Sequence, residues 1–302
     1  FVDGAEVPII YHFGGLRSVI PVGILDSIEF YPGNFNPMYG RATGGVIDVQ
    51  LKKLQPKKVG GYADVSLLDT GVFLEVPFGN KGGIAIAGRR SYIDAILNAA
   101  VPADANVGLV TAPRYYDTQL LANYRPAPAH DFRAFFLGSD DRLELLFRNP
   151  ADVSTELTTG NISSSTSFYR SLFTYKYVPN DRFENTFRIS QGRNWLKFNA
   201  GRFVFDLNFY TSQIRDHVRY RFTDKVSLVT GADILFSKTD FFINLPLPPK
   251  EGEPPGNFDA AETRLAVGNG VTYFSPAGFF EAELKPWAGT LLLPGLRVDH
   301  FT

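Results

Sequence analysis

Four histidines are the first residues to consider for catalysis or metal binding: His12, His130, His217 and His300. They are far apart along the chain, and no two of them have the short spacing that zinc sites use. The acidic run of Asp140, Asp141 and Glu144 lacks the glycine-containing loop of a calcium site. We therefore expect no metal site and no cofactor.

The motifs of covalent and phosphate chemistry are also incomplete. Residues 79–83, GNKGG, are too short for a phosphate-binding loop and lack its Lys-Ser/Thr pair. The serine-rich run at 163–167 has no nucleophile elbow around it. The absence of cysteine removes thiolate catalysis, disulfides and Cys-ligated zinc. The sequence therefore predicts a protein that is not an enzyme.

Composition argues against nucleic-acid binding and against membrane helices. The 302 residues carry 30 basic and 31 acidic side chains, so a net charge of -1 offers no attraction to a polyanion. No apolar run approaches the roughly 18 residues of a membrane helix. The chain has neither an initiating Met nor a signal peptide, and its two ends resemble cuts within longer segments, so we expect a fragment of a longer protein.

From about residue 60 onward, apolar and polar residues alternate, which predicts half-buried strands. In 182–189, for example, Phe183, Phe187 and Ile189 share one face, and the runs 217–222 and 225–236 alternate in the same way. A short helix is predicted only at 91–100. Short turns are predicted at 78–83, 125–131, 178–181, 222–225 and 286–289, and long polar connections at 91–113, 142–165 and 243–275. Short and long connections that mostly alternate are typical of an up-and-down barrel, with the turns on one rim and the loops on the other.

The apolar strand faces could meet either a soluble core or lipid. A soluble β-sandwich would bury them against each other, whereas a membrane barrel turns them to lipid and lines its interior with the polar faces. The polar faces hold more charge than the outside of a sandwich requires. Aromatic residues also gather toward predicted strand ends, as girdles at two membrane interfaces would: Tyr115 and Tyr116, Tyr175 and Tyr177, Phe241 and Phe242, and Phe279 and Phe280. We therefore expect the lipid-facing set to be Phe183, Phe187, Val218, Tyr220, Val226, Leu228 and Ile234.

Residues 1–53 carry a more specific pattern. It begins with a Val-Asp-Gly turn and continues through a strand, a Gly turn, a Tyr-Gly step and a Gly-Gly-Val-Ile run that ends in lysine. The matching positions are 2–4, 28–30, 33, 39–40, 44–47 and 52, with Phe30 in place of the usual Val. This pattern resembles the end of the plug domain of TonB-dependent outer-membrane transporters. The segment 294–301 also looks like a recurring barrel strand of that family.

The resemblance implies an all-β fold, a transmembrane up-and-down antiparallel barrel with the end of an internal plug. We expect the C-terminal part of the plug at 1–53, a basic hinge at 54–61, and the first part of the barrel at 62–302. Residues 60–302 hold about ten or eleven predicted strands, roughly half of the 22 that plugged transporters use.

The resemblance also indicates candidate functional residues. The plug motif and its seam with the barrel comprise Glu29, Gly33, Tyr39, Gly40, Arg41, Gly44 and Gly45. We expect Gly44 and Gly45 to lie close to the barrel wall, and Glu29 and Arg41 to contact charges on it. Candidate lumen-facing charges on the alternating strands are Arg182, Glu184, Arg188, Arg202, Asp206, Arg215, Asp216, Arg219, Arg221 and Asp233.

The function implied is TonB-dependent uptake of a scarce solute (a siderophore, cobalamin, carbohydrate or peptide) across the bacterial outer membrane, with the plug gating the lumen. The expected partners are the TonB complex, engaged through a segment absent from this sequence, outer-membrane lipid, the solute or peptide ligand, and an outer-membrane protein or lipoprotein, but no nucleic acid. Two alternatives stay open at this point: a plugged barrel acting in signalling, adhesion or secretion, and a soluble all-β binding domain or hydrolase.

Overall fold

A computed structural model describes residues 1–12, 15, 17–93, 95–96, 109–111, 114–147, 162–200, 203–246 and 264–302. Arg202, half of the predicted helix at 91–100, and most of the long connections predicted at 91–113, 142–165 and 243–275 lie outside the described residues. The described part is mostly strand. A three-residue 3-10 turn at Val22–Ile24 precedes the first strand.

Fourteen strands are described, and the sequence periodicity accounts for the long ones. They are β1 (Leu25–Tyr31), β2 (Val46–Leu51), β3 (Gly60–Val65), β4 (Asp69–Pro77), β5 (Gly82–Ser91), β6 (Leu109–Thr111), β7 (Arg114–Ala127), β8 (His130–Phe147), β9 (Ile162–Asn180), β10 (Phe183–Ala200), β11 (Phe203–Thr223), β12 (Val226–Pro246), β13 (Arg264–Leu284) and β14 (Gly295–Asp299). The predicted all-β class is confirmed.

Eleven strands form one continuous antiparallel sheet. Its order is β3-β4-β5-β7-β8-β9-β10-β11-β12-β13-β14, with β6 added beside β8, while β1 and β2 form a separate hairpin. Sequential neighbours joined antiparallel are the up-and-down arrangement that was predicted, and the strand number agrees with the expected ten or eleven. The sheet is open along β3 and β14, so the described residues form a partial barrel.

The connections fall at two ends of this sheet. Tight hairpins join β4 to β5, β7 to β8, β9 to β10 and β11 to β12, which confirms the turns predicted at 78–83, 125–131, 178–181 and 222–225. Because adjacent strands are antiparallel, these four hairpins and the β13–β14 connection share one end, the turn end. The other connections leave from the opposite end, the far end.

One face of the sheet is apolar and exposed. We call it the outer face; it carries Ile86, Phe173, Tyr220, Ile234 and Val298, all at least 38% exposed. Strand alternation places the whole predicted lipid-facing set on this face.

Two aromatic rows border the outer face. Near the turn end, the rings of Phe132 and Tyr175 are 4.7 Å apart, and Tyr177 follows on the same strand. Toward the far end, Tyr169 packs 6.0 Å from Trp195. The stretch of β9 from Tyr169 to Tyr177 rises about 26 Å at a strand's usual rise per residue. The nine residues of this stretch agree with the roughly 9–11 residues that a tilted strand uses to cross a membrane.

The opposite, inner face of the sheet packs against residues 1–54. We call these residues the inner segment and the sheet β3–β14 the wall. A single apolar core joins the two: the inner segment contributes Val2, Ala5, Val19, Ile20, Ile24, Val49, Leu51 and Leu54, and the wall contributes Phe73, Ala85, Ala87, Leu121, Phe135, Leu137, Phe168 and Leu172. The start of the predicted hinge is anchored, because Leu54 is buried and its N–H donates to Asn123 Oδ1 at 3.1 Å.

Candidate functional site

Buried ion pairs between the inner segment and the wall form the candidate site. We call this contact surface the seam. Desolvating a charge costs several kcal/mol unless a well-placed partner compensates for it. These pairs therefore fix the position of the inner segment, and they are the contacts that any movement of the segment would have to break.

His12 lies between two carboxylates of the wall. Its Nδ1 is 2.6 Å from Asp141 Oδ1 and its Nε2 is 2.8 Å from Asp117 Oδ2. The ring stacks 4.1 Å from that of Tyr115 and is almost completely buried. Burial disfavours the charged imidazolium, but the hydrogen bonds to Asp117 and Asp141 outweigh burial and raise the pKa of His12. Protonated His12 donates to both carboxylates at once.

Arg17 makes a second contact of this kind on the neighbouring strands. Its Nε and Nη2 donate to the two oxygens of Asp69, each at 2.9 Å, in the bidentate geometry that favours arginine. Asp69 is fully buried and also accepts from the Tyr115 hydroxyl and from Ser66 Oγ. Since Tyr115 also stacks on His12, the two contacts are joined.

The Val-Asp-Gly turn is held by arginines of the wall. Val2 and Ala5 exchange backbone hydrogen bonds, and Asp3 and Gly4 both have positive φ (47° and 82°), as a two-residue hairpin turn requires. Asp3 forms an ion pair with Arg133. Two further wall arginines donate to backbone carbonyls of the turn region: Arg215 to Gly4 at 3.4 Å and Arg170 to Glu6 at 2.7 Å.

Asp233 is the centre of the most highly charged part of the seam. Its Oδ2 lies 3.0 Å from Arg41 of the inner segment, 3.2 Å from Arg215 and 3.0 Å from Arg297. The carboxylate is completely buried. Arg41 also donates to the Ser275 carbonyl at 2.7 Å, so a single inner-segment side chain reaches both β12 and β13.

The glycines of the motif differ from the prediction. No atom lies within 4 Å of a Cβ added at Gly44 or Gly33, and one added at Gly45 meets the backbone of Tyr31 in the inner segment itself. Gly44 and Gly45 therefore make no close approach to the described wall, and their expected place beside the barrel wall stays a prediction. Gly40 makes the close approach instead: a Cβ there would lie 1.9 Å from Arg297 Nε.

Of the other motif residues, Tyr39 and Arg41 are held by contacts, whereas Glu29 is exposed. Tyr39 is buried and its hydroxyl donates to Asp48 Oδ2 at 2.5 Å, while Arg41 has a left-handed φ of 64° in spite of its side chain. That backbone conformation is unfavourable for arginine and persists where its contacts hold it. Glu29 is exposed on β1 and accepts from the Tyr31 hydroxyl. No ion pair joins Glu29 to the described wall, so its expected contact with wall charges stays a prediction.

The wall charges predicted to face the lumen occupy different environments. Asp233, Arg215 and Arg188 lie on the inner face against the inner segment. Glu184 pairs with Lys176 at 2.6 Å, and Arg219 pairs with Glu283 at 2.8 Å. Arg182 and Arg221 are exposed at the turn end.

Two residues that were predicted to face the lumen lie on the outer face instead. Asp206 and Asp216 share the outer face of β11 with Val218 and Tyr220, because side chains alternate and their positions differ from that of Arg215 by an odd number. Asp206 is half exposed and lies 3.8 Å from Lys197 of the next strand.

Sequence reasoning missed three contacts of the seam, those of His12, Arg17 and Asp3. A signal was present in the wall. Asp117, Gln119 and Asn123 occupy alternate positions of β7 on its inner face, and all are nearly fully buried. Three polar residues on the face that also carries buried Leu121 indicate polar partners from another segment.

Within the described ranges, no group of three or more His, Cys, Asp or Glu side chains could hold a metal ion. No helix among these residues has the length and apolar character needed to cross a membrane.

Sequence comparisons identify no relative, whereas structure comparisons do. No protein-family model matches the chain, and no curated protein matches it. The outer-membrane transporter YddB of Escherichia coli matches with a TM-score of 0.63 and 10% identity, over 99% of this chain and 48% of that one. A variant of the ferric enterobactin receptor PfeA of Pseudomonas aeruginosa matches with a TM-score of 0.62 and 16% identity, over 99% and 49%.

FpvA of P. aeruginosa, in complex with a heterologous ferric pyoverdine, matches with a TM-score of 0.64 and 11% identity, over 99% of this chain and 45% of that one. The chain therefore spans about half the length of the structures it matches. At these identities the likeness shows the fold. The predicted resemblance to TonB-dependent outer-membrane receptors is confirmed at that level, and so is the partial outer-membrane β-barrel.

Proposed function

We propose that this chain, which has the fold of TonB-dependent outer-membrane receptors, is part of an active transporter for a scarce solute, and that its inner segment is the C-terminal part of the plug. In this proposal residues 1–53 belong to the plug, 54–61 link it to the barrel, and 62–302 are the first barrel strands. The strands cross the outer membrane of a bacterium, with the turn end toward the periplasm.

The observation that carries the proposal is the contrast between the two faces of the wall. The outer face is apolar and exposed, as a lipid-facing surface must be. The inner face holds a separate segment through buried ion pairs at Asp69, Asp117, Asp141 and Asp233. A soluble sandwich would bury the apolar face and leave the charged one exposed, which is the reverse arrangement.

The ion pairs of the seam are suited to gating for two reasons. They stabilise the inner segment in its position, and water can replace each partner once the segment moves. A paired charge inside the lumen is stabilised by its partner, and the same groups are hydrated once the segment is displaced. Pulling by TonB on a more N-terminal part of the plug would break the pairs one after another. Solute admitted from the far end could then pass between the inner segment and the wall.

The solute class rests on the matched structures. PfeA is a ferric enterobactin receptor, and FecA, which this chain also matches, is a ferric citrate transporter. Both favour a ferric chelate over cobalamin, a carbohydrate or a peptide. The tip of the inner segment near Tyr11, which is half exposed and lies toward the far end, is the part such a chelate would meet first.

The test is uptake by cells that express the full-length protein. Radiolabelled ferric enterobactin, ferric citrate and ferric pyoverdine are supplied to a host lacking its own receptors, with and without TonB. We expect at least one complex to accumulate only when TonB is present. Accumulation that is equal without TonB would refute active transport, and failure of all three would refute the ferric-chelate class.

A cross-link tests gating separately. The chain contains no cysteine, so Arg41→Cys and Ser275→Cys can be joined by a short cleavable thiol reagent across the seam. We expect the cross-link to block uptake and its reduction to restore it. The matched control joins Thr239→Cys to Val271→Cys, a register pair within the wall. Uptake that continues through the cross-linked seam would show that the inner segment need not move.

A further inference from the structure

A cavity of about 270 Å³ lies in the seam near the turn end, and we infer that it binds a small tetrahedral oxyanion of the phosphate or sulfate class. The wall lines it with side chains that include Thr174, Arg188 and His217, and the inner segment contributes Asp3 and Lys53. This site is separate from the His12 and Asp233 contacts. It requires no transport activity, so it does not rest on the proposed function.

The charges around the cavity do not balance. The lining cations are Lys53, Arg133, Lys176 and Arg188, and the lining carboxylates are Asp3, Asp131 and Glu184. Arg133 is paired with Asp3, and Lys176 with Glu184. Within the lining, Arg188 and Lys53 are left to face Asp131, so the lining carries one more positive charge than negative. Asp48, outside the lining, is a further carboxylate near Arg188.

Three side chains of the cavity lining have nitrogen or oxygen atoms without partners. In the described part of the chain, Arg188 Nε and Nη1, His217 Nδ1 and Thr174 Oγ1 make no hydrogen bond, and solvent does not reach them. Nearly all buried polar atoms in folded proteins are hydrogen-bonded, so orphans of this kind indicate a bound ion or water. These atoms lie within the seam, so a partner for them has to enter the cavity between wall and inner segment.

The chemistry of these groups selects an oxyanion. Guanidinium has donors only, and its planar fork matches two oxygens of phosphate or sulfate. Thr174 and His217 can donate to the remaining oxygens, and Lys53 can approach from the inner segment. Water could satisfy single donors but not the positive charge. An oxyanion bound here would connect wall to inner segment.

The test is binding of inorganic sulfate and phosphate to the full-length protein in detergent, by titration calorimetry against sodium chloride at equal ionic strength. We expect saturable binding of both anions. Arg188→Gln should weaken it at least about tenfold, since a charge-assisted hydrogen bond is lost, and Arg188→Lys should retain part of it. Arg182→Gln, an exposed arginine at the same end, is the matched control and should bind like the wild type.

Two results would overturn the site. Wild-type protein that shows no saturable binding would mean that the donors are satisfied by water or by an acidic group from another part of the full-length protein. Binding that is equal in Arg188→Gln and wild type would place the anion elsewhere. Heat-modifiable migration in electrophoresis checks that each variant has a folded barrel, so a failure to fold cannot be mistaken for loss of binding.

Discussion

The two halves of the seam hold the inner segment by different means. Strands β4–β9 offer it the apolar core around Leu121, Leu137 and Phe168 in addition to ion pairs with His12, Arg17 and Asp3. Strands β10–β14 offer it arginines and carboxylates around Asp233. Water hydrates the charges of a separated ion pair and so offsets part of the loss, whereas it does not compensate for apolar area that becomes exposed. The difference suggests that β4–β9 are the anchor and β10–β14 the releasable side.

The largest expected effect is at Asp233. Asp233→Ala leaves Arg41, Arg215 and Arg297 without their shared carboxylate, and removing one partner of a buried pair costs about 3–5 kcal/mol. We expect a lower unfolding midpoint and faster proteolysis of the inner segment in the full-length protein. Asp240→Ala is the control on the same strand. Its pair with Lys238, 3.9 Å away, is half exposed, so its loss should cost about 0–1 kcal/mol. Equal effects of the two substitutions would show that the Asp233 ion pairs do not stabilise the inner segment.

A cavity in the apolar core between β4–β9 and the inner segment should lower the free energy of unfolding. Leu121→Ala removes a completely buried side chain and should cost about 2–5 kcal/mol of unfolding free energy. Leu120 is its neighbour on the outer face, and Leu120→Ala should have a much smaller effect in detergent. If the two variants unfold alike, the core between inner segment and wall is not an anchor. Urea unfolding followed by tryptophan fluorescence supplies the measurement.

A charged side chain on the outer face should destabilise the protein in a membrane. Ile234→Arg places a guanidinium in the apolar band and should cost about 2–4 kcal/mol at mid-membrane depth. Ser227→Arg, on the inner face of the same strand near the turn end, should cost little. The readout is unfolding of the full-length protein in lipid vesicles. Tolerance of Ile234→Arg would contradict the lipid-facing assignment.

The His12 contact should depend on pH. Its pKa is raised in the folded state, so its stabilising contribution is fully present below its unfolded value of about 6.5 and is lost as the pH rises through the folded value. The charged and titratable groups around it are Asp117, Asp141, Tyr115 and Arg89, which lies 3.0 Å from Asp117. We expect the thermal midpoint to fall between pH 6 and pH 9 by more in the wild type than in His12→Gln. Parallel profiles would show that His12 does not titrate between pH 6 and pH 9.

The sequence was sufficient to predict the strands but not the ion pairs between the inner segment and the wall. Alternation predicts β10–β12 and their faces directly, and strict use of the same rule would have excluded Asp206 and Asp216, which cannot share a face with Arg215. Arg41 and Asp233 were both candidates, but their partnership depends on how the inner segment is seated against a strand some 190 positions away. His12 has no local pattern at all, because its two partners come from different wall strands.

The smallest expected effects concern the glycines, and they test the seating of the motif. Gly40 packs against the Arg297 side chain, so Gly40→Ala must displace a guanidinium that is hydrogen-bonded to Asp233 and Asp299. Overpacking of this kind costs about 1–3 kcal/mol. No atom lies near a Cβ at Gly44, and Gly44→Ala should stay within about 0.5 kcal/mol of the wild type. Thermal unfolding of the two variants side by side gives the difference. If Gly44→Ala lowers the unfolding midpoint more than Gly40→Ala, the Gly-Gly pair rather than Gly40 lies against the wall, and the contacts assigned to Gly40 are wrong.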